Sequence, residues 1–252
     1  MNSIMYADDL VLLSISVNDL KLLIDICVKE FNDIGMEINI KKSGCMRVGD
    51  QHNVDMSPIL ISDQSLQWKQ EIKYLGIVLT KSKRFQFNFQ NSKQKYCRAL
   101  NGIFEKVGLN TSPIVICSLV ESYCVPILLY SAEFCMWSNK MFNSNENAYS
   151  HAYMKIFKTF EKRNIEYCQF LFGYLPMTLR LLCKKLQYLS NFAEKKMETS
   201  NILATTSNNE FKSLVEKYQL TINHQVPLCY IVTIWNYFKN VVAQNNSTDN
   251  CL

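Results

Sequence analysis

Two short apolar runs, Ile4-Met5-Tyr6 and Leu10-Val11-Leu12-Leu13, stand either side of Ala7-Asp8-Asp9. No other feature constrains the start of the chain as tightly. Runs of this length parted by a polar pair read as strand, tight turn, strand. The turn matters for the carboxylates. Adjacent residues on a strand point to opposite faces, so Asp8 and Asp9 could not normally meet one ion. On a tight turn the restriction relaxes, and both can approach the same pair of divalent cations. The competing reading is a plain surface turn or a helix cap, where aspartate is common.

Downstream, Ser16 to Asn18 supply cap candidates for a helix whose apolar stripe is Leu20, Leu23, Ile24, Cys27, Val28, Phe31 and Ile34. Gly35 fits the stop, because glycine takes the left-handed conformation there without a Cβ penalty. Met36-Glu37-Ile38-Asn39-Ile40 alternates, which predicts a strand, and residues 46–48 continue the sheet. Residues 59–61 and 73–79 read as further strands. After Thr80 the pattern turns helical. A long helix is predicted over 87–107 and ends at Gly108, and Pro113 opens a second that runs toward Tyr130. Helices follow over 148–172 and 178–197, with Gly173 and Pro176 as the break. A loop at 205–209, a helix near 210–218, an apolar segment at 230–242 and a frayed tail complete the chain.

Apolar residues make up 48% of the 252 and charged residues 19%, the profile of a globular chain rather than a disordered one. The net charge of +5 is uneven. Residues 81–98 hold six basic groups and no acid, interleaved with Phe85, Phe87, Phe89 and Tyr96; residues 140–196 hold ten Lys/Arg against four Asp/Glu. Cations with interleaved rings suit a nucleic-acid backbone; a solvated helix face is the alternative. The ten cysteines include no Cys-x-x-Cys, and His52, His151 and His224 lie near no cysteine pair, which argues against a zinc finger. Most fall among apolar neighbours and read as small reduced core residues. With no signal peptide, the expected compartment is intracellular, nucleus or cytoplasm. Residues 114–137 approach the length of a membrane span, but Glu121, Pro126 and Glu133 interrupt them, so a buried helix and no membrane partner are expected.

Tyr6-Ala7-Asp8-Asp9 followed by Leu10-Val11-Leu12-Leu13-Ser14 resembles the catalytic hairpin of reverse transcriptases from non-LTR (LINE-type) retrotransposons. Gly35-Met36-Glu37-Ile38-Asn39-Ile40-Lys41-Lys42-Ser43 is similar to the next palm motif of that family. Lys73-Tyr74-Leu75-Gly76 looks like its primer-grip hairpin, and Leu128-Leu129-Tyr130-Ser131-Ala132-Glu133 resembles a signature of its helical thumb, which often has glycine where Ser131 stands. The four motifs keep the family's order over about residues 1–137.

The resemblance implies roles. Asp8 would ligate both Mg²⁺ ions of a two-metal site, and Asp9 would support them. Tyr6 and Ala7 would lie at the primer terminus and nucleotide pocket. Lys42 would meet the triphosphate or protonate leaving pyrophosphate, unless it is an ordinary lysine at a strand end. Tyr74, Leu75 and Gly76 would position the primer strand. Lys81, Lys83, Arg84, Lys93, Lys95 and Arg98 would touch the backbone of an RNA template and DNA primer. Glu133 reads as a buried structural acid. The implied fold is α+β: a truncated polymerase palm of antiparallel strands with one helix (1–80), an all-α thumb (81–140) and a post-thumb helical region (141–252). The family's palm carries another metal-binding aspartate upstream, and this chain starts five residues before Tyr6. The expectation is therefore a polymerase fragment that is inactive alone, with dNTP binding in doubt without the fingers. The alternative is a non-catalytic nucleic-acid-binding protein of the same descent.

Overall fold

The computed structural model describes residues 3–61, 63–108, 111–134, 139–194, 212, 216 and 227–247. They form a mixed α and β chain that divides into two compact units, 1–89 and 90–252. The division falls nine residues or so past the expected boundary at 80, because Gln86–Phe87 adds a strand to the first unit. No separate unit begins at 141.

In the first unit, β1 (Ser3–Tyr6) and β2 (Asp9–Leu12) pair antiparallel as predicted. Helix α1 (Val17–Asp33) begins where the Ser16 hydroxyl accepts the Asp19 N–H at 3.1 Å. It ends as the glycine predicts. Gly35 has φ +72°, and the Gly35 and Met36 N–H groups donate to the Asn32 and Phe31 carbonyls. The stripe packs less deeply than its spacing implies. Ile24 is buried, while Ile34 is 67% exposed.

Residues 36–40 do not form the predicted strand. Asn39 folds them into a turn instead: its carbonyl accepts the Lys42 and Ser43 N–H groups, and its side chain accepts the Lys42 N–H again. Nor do residues 46–48 extend a sheet. A single parallel bridge joins Cys45 to Trp68, and the chain then reverses as the His52 N–H donates to the Gly49 carbonyl. Strands β3 (Ile59–Ile61) and β4 (Gln64–Leu66) make a second hairpin. A three-stranded sheet follows, β5 (Glu71–Tyr74), β6 (Ile77–Thr80) and β7 (Gln86–Phe87). Here the predicted helix start at 87 is corrected. Phe87 pairs with Leu79 and the Asn88 N–H donates to Val78, so these residues belong to the ladder. The core is small: Ile24, Cys45, Ile59, Ile61 and Leu66.

The second unit is helical throughout its described residues. Helix α2 (Gln90–Val107) stops at Gly108, φ +73°. Helix α3 (Pro113–Leu119) runs through a π turn, Val120–Cys124, into α4 (Val125–Leu129). The π turn has a local cause. Pro126 has no N–H and crowds the carbonyl four residues back, and the Val125 N–H reaches instead to Val120, five back. This stretch, Pro113–Phe134, is long and apolar enough to cross a membrane, by length and composition only. In the fold its Ile116, Cys117, Val120, Cys124, Val125 and Leu128 are buried. Helices α5 (Asn139–Phe157) and α6 (Lys162–Leu171) replace the single predicted run over 148–172; Lys158, at φ +53°, separates them. Helix α7 (Met177–Glu194) follows the Gly173 turn, and α8 (Pro227–Ser247) packs on it through Ile234, Phe238 and Val242. The predicted loop at 205–209 lies outside the described residues, as does the last of the tail; of the helix near 210–218, only residues 212 and 216 are described.

Glu121, on the π turn, ties three segments together. It accepts from the Tyr149 hydroxyl at 2.6 Å and the Tyr153 hydroxyl at 3.1 Å, both on α5, and from the Arg180 guanidinium on α7. Arg180 also donates to the Leu175 carbonyl and lies over the Tyr149 and Tyr174 rings. Burial pushes the Tyr149 and Tyr153 phenols up, so both stay protonated donors. Glu121 and Arg180 are 11% and 17% exposed, too dry for either charge to stand alone. Arg180→Met is expected to destabilise this unit by about 3 to 5 kcal/mol, and Glu121→Met/Arg180→Met by much less. Urea unfolding followed by circular dichroism measures both.

The cysteine expectation holds for part of the set. Cys27, Cys45, Cys97, Cys117, Cys124, Cys168 and Cys183 are free; Cys45, Cys117 and Cys124 are buried and Cys97 is exposed. Burial lifts the Cys45 thiol to about 11 and, with Glu121 adding, Cys117 to about 12 and Cys124 to about 11. In native protein, alkylation read by mass spectrometry should mark Cys97 well before those three, which should react only on unfolding.

Candidate catalytic hairpin and nucleic-acid contacts

Tyr6 and Asp9 are cross-strand partners, which leaves Ala7 and Asp8 as a two-residue turn. Ala7 carries the left-handed backbone, φ +50°. So tight a reversal puts Asp8 in the turn and Asp9 at the first position of β2, not side by side on one strand. Tyr6, Asp8 and Asp9 are all exposed, and neither carboxylate has an ion pair or hydrogen bond among the described residues. Two free carboxylates at one tip can attract a hard divalent cation, but such an ion takes six or more oxygens. Among the described residues no group of three or more His, Cys, Asp or Glu could hold a metal.

Lys42 is exposed on the Asn39 turn. Among the described residues no ion pair joins it to Asp8 or Asp9. Tyr74 and Ile77 close the β5–β6 hairpin around Leu75 and Gly76, with φ +46° and +83°. Two positive values in succession mark the turn type that matches strand twist and favours Asn-Gly. Glycine fits; leucine is strained there, and it is exposed. The Tyr74 hydroxyl is buried with no partner among the described residues. This hairpin and the Asp8 hairpin belong to separate sheets.

The basic run divides between the units. In the first, Lys81 is half-buried, Lys83 pairs with Asp50 at 2.9 Å, and Arg84 is exposed. In the second, Lys93 turns inward on α2 and donates to Ser144 at 2.9 Å. Lys95 and Arg98 are exposed at a spacing of three, on one face of α2. Two cations were missed by sequence reasoning, Arg47 and Lys69, which line a cleft with Lys81. The signal was present as Trp68 beside Lys69, but the rest lies scattered along the chain. In the thumb-like signature, Ser131 has φ +58°, and Glu133 Oε2 is buried with no partner among the described residues.

Leu75→Asn should raise the stability of the first unit by roughly 0.5 to 1 kcal/mol, since asparagine tolerates the left-handed conformation. Calorimetric unfolding checks the sign; a lower melting temperature would show that the leucine side chain packs for more than the strain costs.

Comparison of the chain with protein-family models, curated proteins and solved structures finds no match, so the site is interpreted from its own residues.

Proposed function

We propose that this chain is the catalytic-hairpin and thumb portion of an RNA-directed DNA polymerase of the non-LTR retrotransposon kind, and that by itself it holds primer–template without extending it. One observation carries the reading. Tyr6-Ala7-Asp8-Asp9 forms a two-residue turn between antiparallel strands, the geometry that lets neighbouring carboxylates act together. A second supports it: Ser131 is left-handed where the resembled signature often has glycine. On this reading Asp8 and Asp9 are metal ligands, Lys42 faces the triphosphate, and Tyr74, Leu75 and Gly76 guide the primer. The expected inactivity rests on the donor count: among the described residues two carboxylates would leave a two-metal site under-ligated. What remains is duplex binding by exposed cations, in an intracellular setting without a membrane.

Titration of an RNA–DNA primer–template should give affinity that falls steeply with salt. Lys95→Ala/Arg98→Ala should lower the slope of log K against log salt by about 1.8, at about 0.9 for each phosphate no longer neutralised. Asp8→Ala/Asp9→Ala should leave binding intact. Absence of binding at low salt would overturn the reading, and primer extension by the purified chain would overturn the inactivity.

A further inference from the structure

The first unit contains a cleft of about 210 Å³ that the hairpin chemistry does not use. Three cations line it, Arg47, Lys69 and Lys81, against one acid, Asp55. The three cations are half-buried, and among the described residues none has a carboxylate within ion-pair distance. Arg47 is the most telling. Among the described residues its guanidinium meets neutral acceptors, the Met56 sulfur and the Gln51 side-chain oxygen. A thioether is a weak acceptor, and a half-buried guanidinium is poorly satisfied by it. Lys69 is held in place from below. Its Nζ reaches the Lys42 carbonyl at 3.4 Å, and its stem passes so close to Gly44 that an added Cβ would meet Cδ and Cε at 2.6 Å. Trp68 completes the wall, its indole N–H fixed on the Ser57 carbonyl at 3.1 Å.

We infer that this cleft binds a phosphate group, with Arg47 as the forked donor and Lys69 and Lys81 as the flanking charges. Size limits the ligand. Pockets for drug-sized molecules begin near roughly 300 Å³, so this one takes a phosphate or pyrophosphate, or one phosphate of a longer strand. Planar donation from arginine suits two oxygens of the same phosphate. The site needs neither Asp8 nor Asp9, although Lys81 is also among the cations expected to touch a nucleic-acid backbone.

Trp68 supplies the readout. Sodium pyrophosphate is titrated into the full chain at fixed ionic strength and followed by fluorescence, with Trp68→Phe to assign the signal. Saturable binding is expected, weakened roughly tenfold or more by Arg47→Met and to a lesser degree by Gly44→Ala, which displaces Lys69. Lys81→Gln is the second charge variant should Arg47→Met fail to fold. Asp8→Ala/Asp9→Ala should bind as the wild type does. A single-stranded oligonucleotide with a 5′-phosphate and its dephosphorylated twin then identify the source of the phosphate. Preference for the phosphorylated strand points to a free or terminal phosphate, and equal displacement of pyrophosphate by both points to internal strand phosphates. A merely linear, salt-like response, or affinity unchanged in folded Arg47→Met and Lys81→Gln, would overturn the site.

Discussion

The helical unit is organised around one carboxylate. Glu121 accepts two phenols from α5 and a guanidinium from α7, and it stands on a π turn. These facts have a common origin. Pro126 removes one link of the backbone ladder, the helix widens to restore it, and Val120, Glu121 and Cys124 of the wider turn face the bundle interior. A charge buried there needs compensation on every side. Tyr149, Tyr153 and Arg180 give it, and Arg180 in turn rests on two aromatic rings. The apolar side chains around them, from Tyr96 to Leu181, pack the core, and the polar cluster joins α5 and α7 to the π turn within it.

The first unit follows a different logic. Among its described residues six apolar side chains are buried, Val78 and the five of the core cluster, and three of its hairpins turn within a few residues. Each of the three reverses through a residue with positive φ that is not glycine: Ala7, Asp63 and Leu75. Such a residue costs of order 1 kcal/mol for alanine or leucine, and less for aspartate. Strain of this kind in a weakly packed unit points to turns shaped by what they present rather than by stability. Ala7 presents Asp8 and Asp9. Leu75 presents an apolar tip beside Gly76, where the backbone is open to close approach.

What was legible in the sequence was local. The two-residue turn, the Gly35 cap, the Gly108 stop and the Gly173 break each depend on a few neighbouring residues, and all stand in the structure. What was illegible depended on distant partners. Residues 36–40 alternate like a strand but have no strand to pair with among the described residues, and Asn39 instead accepts the Lys42 and Ser43 N–H groups in a turn. Phe87 lies at the edge of a helical pattern, yet Leu79 draws it into a ladder. The division of the basic run is of the same kind. Lys93 and Lys95 are two residues apart, which on a helix means different faces, so one serves Ser144 and the other faces solvent.

The electrostatics of the first unit bear on function more directly than its topology. An exposed ion pair forms at little gain, often under about 1 kcal/mol, and Lys83 with Asp50 is one. Yet among the described residues Asp8 and Asp9 have no cation, and Arg47 has no carboxylate, although one unit holds them all. The fold keeps its negative tip and its positive cleft from neutralising one another. On the proposed readings the tip would draw a divalent cation and the cleft a phosphate. Those are two components that travel together wherever nucleotides are handled, since a phosphate chain binds hard cations through its own oxygens. Asp8 and Asp9 alone offer fewer oxygens than such an ion takes, and a phosphate-bound ion would bring some of its own.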